Sequence, residues 1–228
     1  MAQSVIGALR VNLGLDSAKF NKGLSEAQRS LNAARTQFLA VAGVATAAVG
    51  GLTALTVATS KTAAEIKQFS QVANAAPEEL QRWSAGAKTV GIEQEKLADI
   101  LKDVNDRVGD FITTGGGPMA DFFENVAPKI GITADAFRDL SGPQAMQLYV
   151  SSLEKAGLSQ QEMTFYLEAM ASDATALIPL LQNGGAEMQR FGENARSLGG
   201  FMSAETVTSL NGLKLALADA GTAVQGVG

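Results

Sequence analysis

The longest apolar pattern in the chain, the apolar segment, runs from residue 36 to residue 60 and contains no charged side chain. A helix needs about 20 apolar residues to cross the core of a bilayer, so this segment is long enough. Within it Gly43, Ala47 and Gly51 recur every four residues, and such a ridge of small side chains lets two helices approach closely. The pattern predicts either a helix that contacts a membrane or an Ala/Gly-rich helix buried between partner chains.

Two different periodicities precede the apolar segment. Large apolar residues alternate with polar or small ones up to Leu15, which is typical of a strand and predicts a short one at residues 5–15, within an extended segment of residues 1–16. A helical period follows, and its apolar positions, spaced four and three apart, are Phe20, Leu24, Ala27, Leu31, Ala34 and Phe38. This spacing is typical of a coiled-coil seam. We expect residues 17–75 to form one long helix that includes the apolar segment and is weakest at Gly50 and Gly51.

A different pattern begins at residue 76, where short amphipathic stretches alternate with helix start and stop signals. Pro77 suits a first helical turn, and Gly91 is typical of a helix end. A second amphipathic stretch presents apolar residues from Leu97 to Phe111 and is expected to end before the Gly-rich turn at residues 113–118. That turn lacks the Lys-Ser/Thr of a phosphate-binding loop, so it is interpreted as a linker.

Capping signals predict the remaining helices. Ser141 with Gln144, and Ser159 with Glu162, have the spacing of a capping box. Glycine pairs at 184–185 and 199–200 bracket a further helix, and Ser203 is positioned to cap a last one reaching about residue 220. The predicted fold is therefore all-α, with a long N-terminal helix followed by a compact multi-helix module at residues 76–228.

Composition removes most catalytic chemistry from consideration. The chain has no cysteine and no histidine, which excludes disulfides, thiolate or imidazole metal ligands and histidine acid–base catalysis. Glu162, Glu168 and Asp173 are candidates for a glycosidase-like acid pair, but carboxylates are common on any helical surface. Trp83, Met163, Phe165, Leu167 and Met170 are expected to pack in a helical core rather than to bind a ligand. We therefore expect no enzyme activity, no cofactor and no metal.

Charge is unevenly distributed along the chain. Residues 1–37 carry a net charge of +3 and the remainder −8, which together give the net −5 of the whole chain. An acidic protein is not expected to bind nucleic acid generally, so no specific nucleic-acid sequence is expected as a partner. The basic N-terminal arm is consistent with a preferred orientation at a membrane or with the solvated face of a helix.

Three stretches of the sequence resemble one protein family. The opening ALRVNLGLDSAKFNKGLSEAQRSL, with Asp16, Ala18 and Phe20 before an amphipathic helix, looks like the start of the tail tape measure proteins of long-tailed bacteriophages. The stretch APEELQRWSAGAKTVGIEQEKLADILKDVNDRV resembles the helical module that follows the hydrophobic stretch in that family. The stretch ALIPLLQNGGAEMQRFGENARSLGGFMSAETV resembles its closing section. The order of these stretches carries the resemblance, which spans nearly the whole chain.

The resemblance implies a structural role without catalysis. Proteins of this family lie as a few extended helical copies inside the tail tube, set its length during assembly and are kept soluble by tail assembly chaperones. They leave before the DNA on infection and help to form its passage across the host envelope. The implied partners are thus other copies of the chain, the tail tube protein, the chaperones and the host membrane. The implied location is the lumen of the virion tail tube and, on infection, the host cell membrane.

Length departs from the family pattern, because 228 residues in one continuous helix reach at most about 340 Å. This favours either a short tail or the N-terminal portion of a longer protein. The alternative function is a bacterial membrane-inserting or pore-forming protein, in which the apolar segment acts on the membrane and residues 76–228 form a soluble regulatory domain.

Overall fold

Nine α-helices and three short 3₁₀ turns account for almost all of the part of the chain that the structure describes. This computed structural model describes the backbone of residues 49–225 and the side chains of residues 59–215. The helices are α1 (Val49–Val72), α2 (Pro77–Ala87), α3 (Gln94–Thr114), α4 (Ala120–Asn125), α5 (Ala127–Ile130), α6 (Gly142–Lys155), α7 (Gln160–Met170), α8 (Ile178–Ser197) and α9 (Ala204–Gln225). The 3₁₀ turns are Lys88–Val90, Ala134–Phe137 and Ala174–Leu177. The described residues contain no strand, so the all-α prediction is confirmed for them.

Several N-terminal predictions lie outside the described residues. These are the strand at residues 5–15, the six-residue seam from Phe20 to Phe38, and the part of the apolar segment that precedes residue 49. The structure therefore does not test the single long helix expected for residues 17–75. Its last part is helical as α1, which ends at Val72.

Local capping chemistry sets the helix ends as the sequence predicted. Pro77 occupies the first turn of α2, where its missing N–H is not needed. Both capping boxes are present: the Gln144 N–H donates to Ser141 Oγ over 3.2 Å, and the Ser159 N–H donates to Glu162 Oε2 over 2.7 Å. The Ser159 hydroxyl also donates to Glu162 Oε2. This side-chain hydrogen bond, and to a smaller extent the backbone one, hold the pKa of Glu162 below its ordinary value.

Helix α8 is interrupted where the glycine pair predicts a break. Its backbone leaves the helical region from Gln182 to Gly185, and φ is positive at Asn183, Gly184 and Gly185. Glycine adopts positive φ without steric strain, so the pair permits the kink. The regular part of α8 then continues to Ser197, and the backbone at Gly199 again has a positive φ, of 74°. The predicted helix between the two glycine pairs is thus confirmed.

The core lies around α3 and α6, which pack against each other. Five aromatic side chains from α3, α4, α6 and the 3₁₀ turn at residues 134–137 form a cluster. The Phe111 and Phe123 rings stack with centroids 4.1 Å apart, and the Phe122 ring lies 4.6 Å from that of Tyr149 and edge-on to Phe137. Phe122, Phe137 and Tyr149 are at most 1 % exposed. Aromatic pairs at such offsets add to the stability that burial of their apolar area provides.

Close contact between α2 and α8 depends on two glycines. A β-carbon at Gly86 would overlap the sulfur of Met188, and one at Gly192 would overlap Cγ of Arg82. Each helix thus offers a glycine where the other places a long side chain. Trp83, on the same helix α2, is 8 % exposed, which confirms the prediction that it packs in the core.

One core prediction is wrong. Phe165 is 58 % exposed, while Met163, Leu167 and Met170 of the same helix, α7, are buried as predicted. Residues 163, 167 and 170 share a face at spacings of four and three, and Phe165 lies on the opposite side of the helix. Its ring instead contacts that of Tyr166 edge-on, with centroids 5.3 Å apart.

Candidate functional site

We call helices α2 to α8 the compact part, and the chain enters and leaves this part next to α2. Four residues separate the end of α1 at Val72 from the start of α2, and Met202, just before α9, is hydrogen-bonded to Gln81 of α2. Helices α1 and α9 also pack against each other. Because one of them ends and the other begins beside α2, they run in opposite directions as an antiparallel pair. We call the contact region between this pair and the compact part the junction, defined by Asn74, Gln81, Asn105, Gly142 and Met202.

The first half of the junction fixes the turn between α1 and α2. Asn74 adopts the left-handed backbone conformation, with φ of 48°, which asparagine tolerates better than most residues. Its carbonyl oxygen accepts a hydrogen bond from the Gly142 N–H over 3.1 Å, and its Nδ2 donates to the Leu140 carbonyl over 3.3 Å. Asn105 Nδ2 on α3 donates to the Ala73 carbonyl over 3.2 Å. The end of α1 is therefore joined to both α3 and the start of α6.

The second half of the junction holds the start of α9. Gln81 Nε2 donates to the Met202 carbonyl over 2.9 Å, and the Met202 N–H donates to Gln81 Oε1 over 2.8 Å. The same Nε2 also donates to the Pro77 carbonyl over 3.0 Å, and Gln81 is only 7 % exposed. A single side-chain amide thus satisfies both polar groups of one peptide residue 121 positions away. The reciprocal pair fixes the orientation of the chain as it enters α9.

A groove of about 270 Å³ borders the junction between α2, α6 and α8. Its walls include Trp83, Met188 and Gln147, and its charged groups are Glu79, Arg82 and Glu193. Glu79 Oε1 accepts a hydrogen bond from the hydroxyl of Ser141 over 3.0 Å, which ties α2 to the cap of α6. Arg82 Nε lies 3.9 Å from Glu193 Oε1. These polar contacts link helices to one another, so the groove is chiefly a packing seam.

The three candidate acids do not come together as a pair in a cleft. Glu162, Glu168 and Asp173 are all exposed. Glu162 is engaged in the cap of α7, and Asp173 forms an ion pair with Lys96 of α3. The hydrogen bond to Asp173 raises the pKa of Lys96, and the negative charge of Asp173 contributes a smaller rise. Among the residues described, no group of three or more carboxylates is arranged to hold a metal ion.

The predicted helix-packing and membrane residues fall mostly outside the described part. Gly43 and Ala47 precede residue 49, and Gly51 lies in the first turns of α1, where the structure describes the backbone alone. None of the helices between residues 49 and 225 combines the length with the hydropathy that a membrane crossing requires. The six seam residues Phe20, Leu24, Ala27, Leu31, Ala34 and Phe38 likewise precede the first described residue.

The junction itself was missed by the sequence analysis. Gln81 and Met202 lie far apart in sequence, and neither belongs to a motif that would pair them. The Asn74-Ala75-Ala76-Pro77 turn offered the one available signal, since asparagine favours left-handed turns and the residue before proline avoids the helical region.

No family model, curated protein or solved structure matches this chain.

Proposed function

We propose that this chain is a phage tail tape measure protein, or the N-terminal portion of one, and that it acts without catalysis. It would set tail length during assembly, occupy the lumen of the tail tube and assist DNA delivery across the host envelope. The observation that carries the proposal is the antiparallel pair of α1 and α9, which packs against an all-helical compact part. The resemblance of the three sequence stretches supports the same role.

A helical architecture suits a molecular ruler because its length follows directly from residue number. Each helical residue adds about 1.5 Å, so an extended helical chain measures distance in proportion to its sequence. The coiled-coil seam predicted at Phe20 to Phe38 would align a few copies in register. The partners in this proposal are other copies of the chain, the tail tube protein, tail assembly chaperones and, on infection, the host membrane.

Occupying a narrow tube requires the compact module predicted for residues 76–228 to open. A compact unit of about 150 residues has a radius of gyration of about 15 Å and is therefore more than about 30 Å across, whereas one helix with its side chains is about 10–12 Å across. We expect residues 76–228 to unravel into extended helices on assembly. Hydrogen exchange on intact tails would measure this, and protection equal to that of the isolated protein would count against unravelling.

The direct test is tail length. In a phage that encodes this chain, a tandem duplication of residues 77–114 should lengthen the tail by about 57 Å, at about 1.5 Å for each added residue. The point variant Gly109→Ala, which adds no residues, serves as the matched control and should leave tail length unchanged. An unchanged tail length in the duplication variant, with particles still assembled, would exclude the ruler function.

Cross-linking mass spectrometry on purified virions distinguishes the alternative. Cross-links from this chain to the inner surface of the tail tube are the expected result. Detection of the chain in cell membranes, and its absence from particles, would favour the membrane-inserting or pore-forming alternative. The charge-free apolar segment, residues 36–60, is the observation that keeps this alternative open.

A further inference from the structure

The interruption of α8 places an asparagine–glycine pair at the surface of the protein. The pair is Asn183 and Gly184, and the backbone from Gln182 to Gly185 lies outside the helical region. Asn183 is exposed, with φ of 56° and ψ of 40°, and Gly184 has φ of 71°. A β-carbon added at Gly184 would meet no other atom within 4 Å. There is therefore open space around Gly184.

An asparagine that precedes a glycine can react with its own backbone. The backbone nitrogen of Gly184 attacks Cγ of Asn183, an N–Cγ bond forms, and the Cγ–Nδ2 bond breaks. The proton of the Gly184 N–H leaves with the side-chain nitrogen as ammonia, and the product is a cyclic succinimide. Water then opens the ring at either of its carbonyls, which leaves aspartate or isoaspartate. The reaction consumes only water and releases only ammonia.

Both the glycine and the irregular backbone favour closure of this ring. Glycine has no β-carbon that would obstruct the attacking nitrogen, and its backbone turns freely. Ring closure also requires rotation about the Cα–C bond of Asn183, which a regular helix resists because its backbone hydrogen bonds would break. The backbone at Asn183 has already left the helical region, and its positive φ is unusual for a residue with a side chain. Rotation at Asn183 therefore does not require a regular helix to unwind.

A second asparagine–glycine pair lies in a regular helix of the same chain. Asn211 and Gly212 are inside α9, and a β-carbon at Gly212 would also meet no atom within 4 Å. Every other asparagine of the chain precedes a residue that has a β-carbon. The two pairs share their residue types and the open space around the glycine, and they differ chiefly in backbone conformation. The pair in α9 is thus an internal control.

The reaction would place a second carboxylate at a contact between α6 and α8. Glu154 Oε1 of α6 accepts a hydrogen bond from the Asn183 N–H over 3.0 Å. Nearby, Gln147 Nε2 of α6 donates to the Leu181 carbonyl over 2.8 Å. An aspartate or isoaspartate at position 183 is ionised at neutral pH and repels Glu154. Isoaspartate also inserts a methylene into the backbone beside both hydrogen bonds, so either product weakens this contact.

We propose that Asn183 is a site of spontaneous deamidation and that its conversion loosens α8 from α6. The change is irreversible because ammonia is lost. Each converted chain carries one negative charge more than the net −5 of the sequence. The proposal concerns the folded chain alone and does not depend on the proposed function.

Peptide mass spectrometry of the aged chain tests the site. The full chain is incubated at mildly alkaline pH in heavy-oxygen water, and replacement of the side-chain NH2 by labelled oxygen is followed at both asparagine–glycine pairs. We expect conversion at Asn183 to be at least about tenfold faster than at Asn211, a ratio that corresponds to about 1.4 kcal/mol of helix opening. Equal rates in the folded chain, or faster conversion at Asn211, would overturn the proposal.

The same measurement in denaturing urea shows whether the fold causes the difference. Without folded structure the two pairs should convert at nearly equal rates, because each is an asparagine followed by a glycine. A ratio that persists in urea would assign the difference to the neighbouring sequence and would contradict the role of the α8 interruption. Asn183→Gln, whose longer side chain disfavours ring closure, should stay unmodified at this position.

A double-mutant cycle tests the consequence for α8. Asn183→Asp, which reproduces the charge of the product, should raise the equilibrium constant for unfolding about two- to fivefold in urea titrations. The same substitution in a Glu154→Gln background should have almost no effect, because the repelling carboxylate is absent while an acceptor oxygen remains. An effect of equal size in both backgrounds, or no effect in either, would refute the loosening of α8 from α6.

Discussion

Replacing Gln81 with methionine tests whether the junction holds α9 in place. Methionine has nearly the same length and fills the same space, but it makes none of the three hydrogen bonds of the Gln81 amide. The two bonds to Met202 are each worth about 1 kcal/mol net, and the polar groups of Met202 lose their partners as well. We expect Gln81→Met to lower the free energy of unfolding by about 2–3 kcal/mol.

Two measurements separate a local from a global effect. Urea unfolding followed by circular dichroism gives the loss of global stability. Native-state hydrogen exchange gives the opening of the Met202 N–H, whose present acceptor is Gln81 Oε1. We expect the Met202 amide and the first turn of α9 to exchange at least tenfold faster, at about 1.4 kcal/mol for each factor of ten.

Gln147→Met is the matched control for the junction variant. Gln147 Nε2 donates to the Leu181 carbonyl over 2.8 Å, so its loss also removes a partly buried side-chain to backbone hydrogen bond. That bond lies between α6 and α8, away from α9, and its loss should leave exchange at Met202 unchanged beyond the global effect. Equal local exchange at Met202 in the wild type and in Gln81→Met would refute the assignment of Gln81 as the anchor of α9.

Three further predictions concern packing, pH and the membrane. Gly142→Ala should destabilise the protein by about 1–3 kcal/mol in urea unfolding, because the added β-carbon would overlap the Ala73 carbonyl oxygen. Gly109→Ala, where the added β-carbon meets open space on α3, should instead stabilise the protein by about 0.5–1 kcal/mol. Burial raises the pKa of the Tyr149 hydroxyl, so the folded state keeps this proton where the unfolded state loses it. Stability should therefore fall above about pH 10 by about 1.4 kcal/mol per pH unit from this group, and Tyr149→Phe should lack that part of the slope. Val49→Asp should abolish leakage from lipid vesicles if the apolar segment spans a bilayer, and unchanged leakage would remove the membrane role without affecting the ruler function.

Helix ends were predictable because their chemistry is local. The capping boxes at Ser141 and Ser159 depend on residues three positions apart, and both form as predicted. The sequence predicts the end of α3 slightly early: the helix continues through Thr114, whose hydroxyl donates back to the Asp110 carbonyl over 2.9 Å, and ends before Gly115. Helix α9 likewise extends to Gln225, beyond the predicted end near residue 220, since a lone glycine weakens a helix without ending it.

Tertiary features were less accessible from sequence. The wrong prediction for Phe165 arose because residue type was read without its position on the helix face; its neighbours Met163 and Leu167 fix the buried side. The pairing of Gln81 with Met202 joins residues 121 positions apart. It requires only that a side-chain amide lie beside the backbone N–H and carbonyl of one residue. Long-range pairs of this kind leave no periodicity in the sequence, which explains why the junction emerged from the structure alone.

The position of Trp83 makes its intrinsic fluorescence a probe of the packing between α2 and α8. It is the chain's single tryptophan, and it lies two residues after Gln81 on the face of α2 that meets α8. Separation of α2 from α8 would bring its indole into water, and its emission would shift to longer wavelength. Because the purified chain has no other indole, this shift in emission would follow the opening of the compact part in solution in real time, without any label.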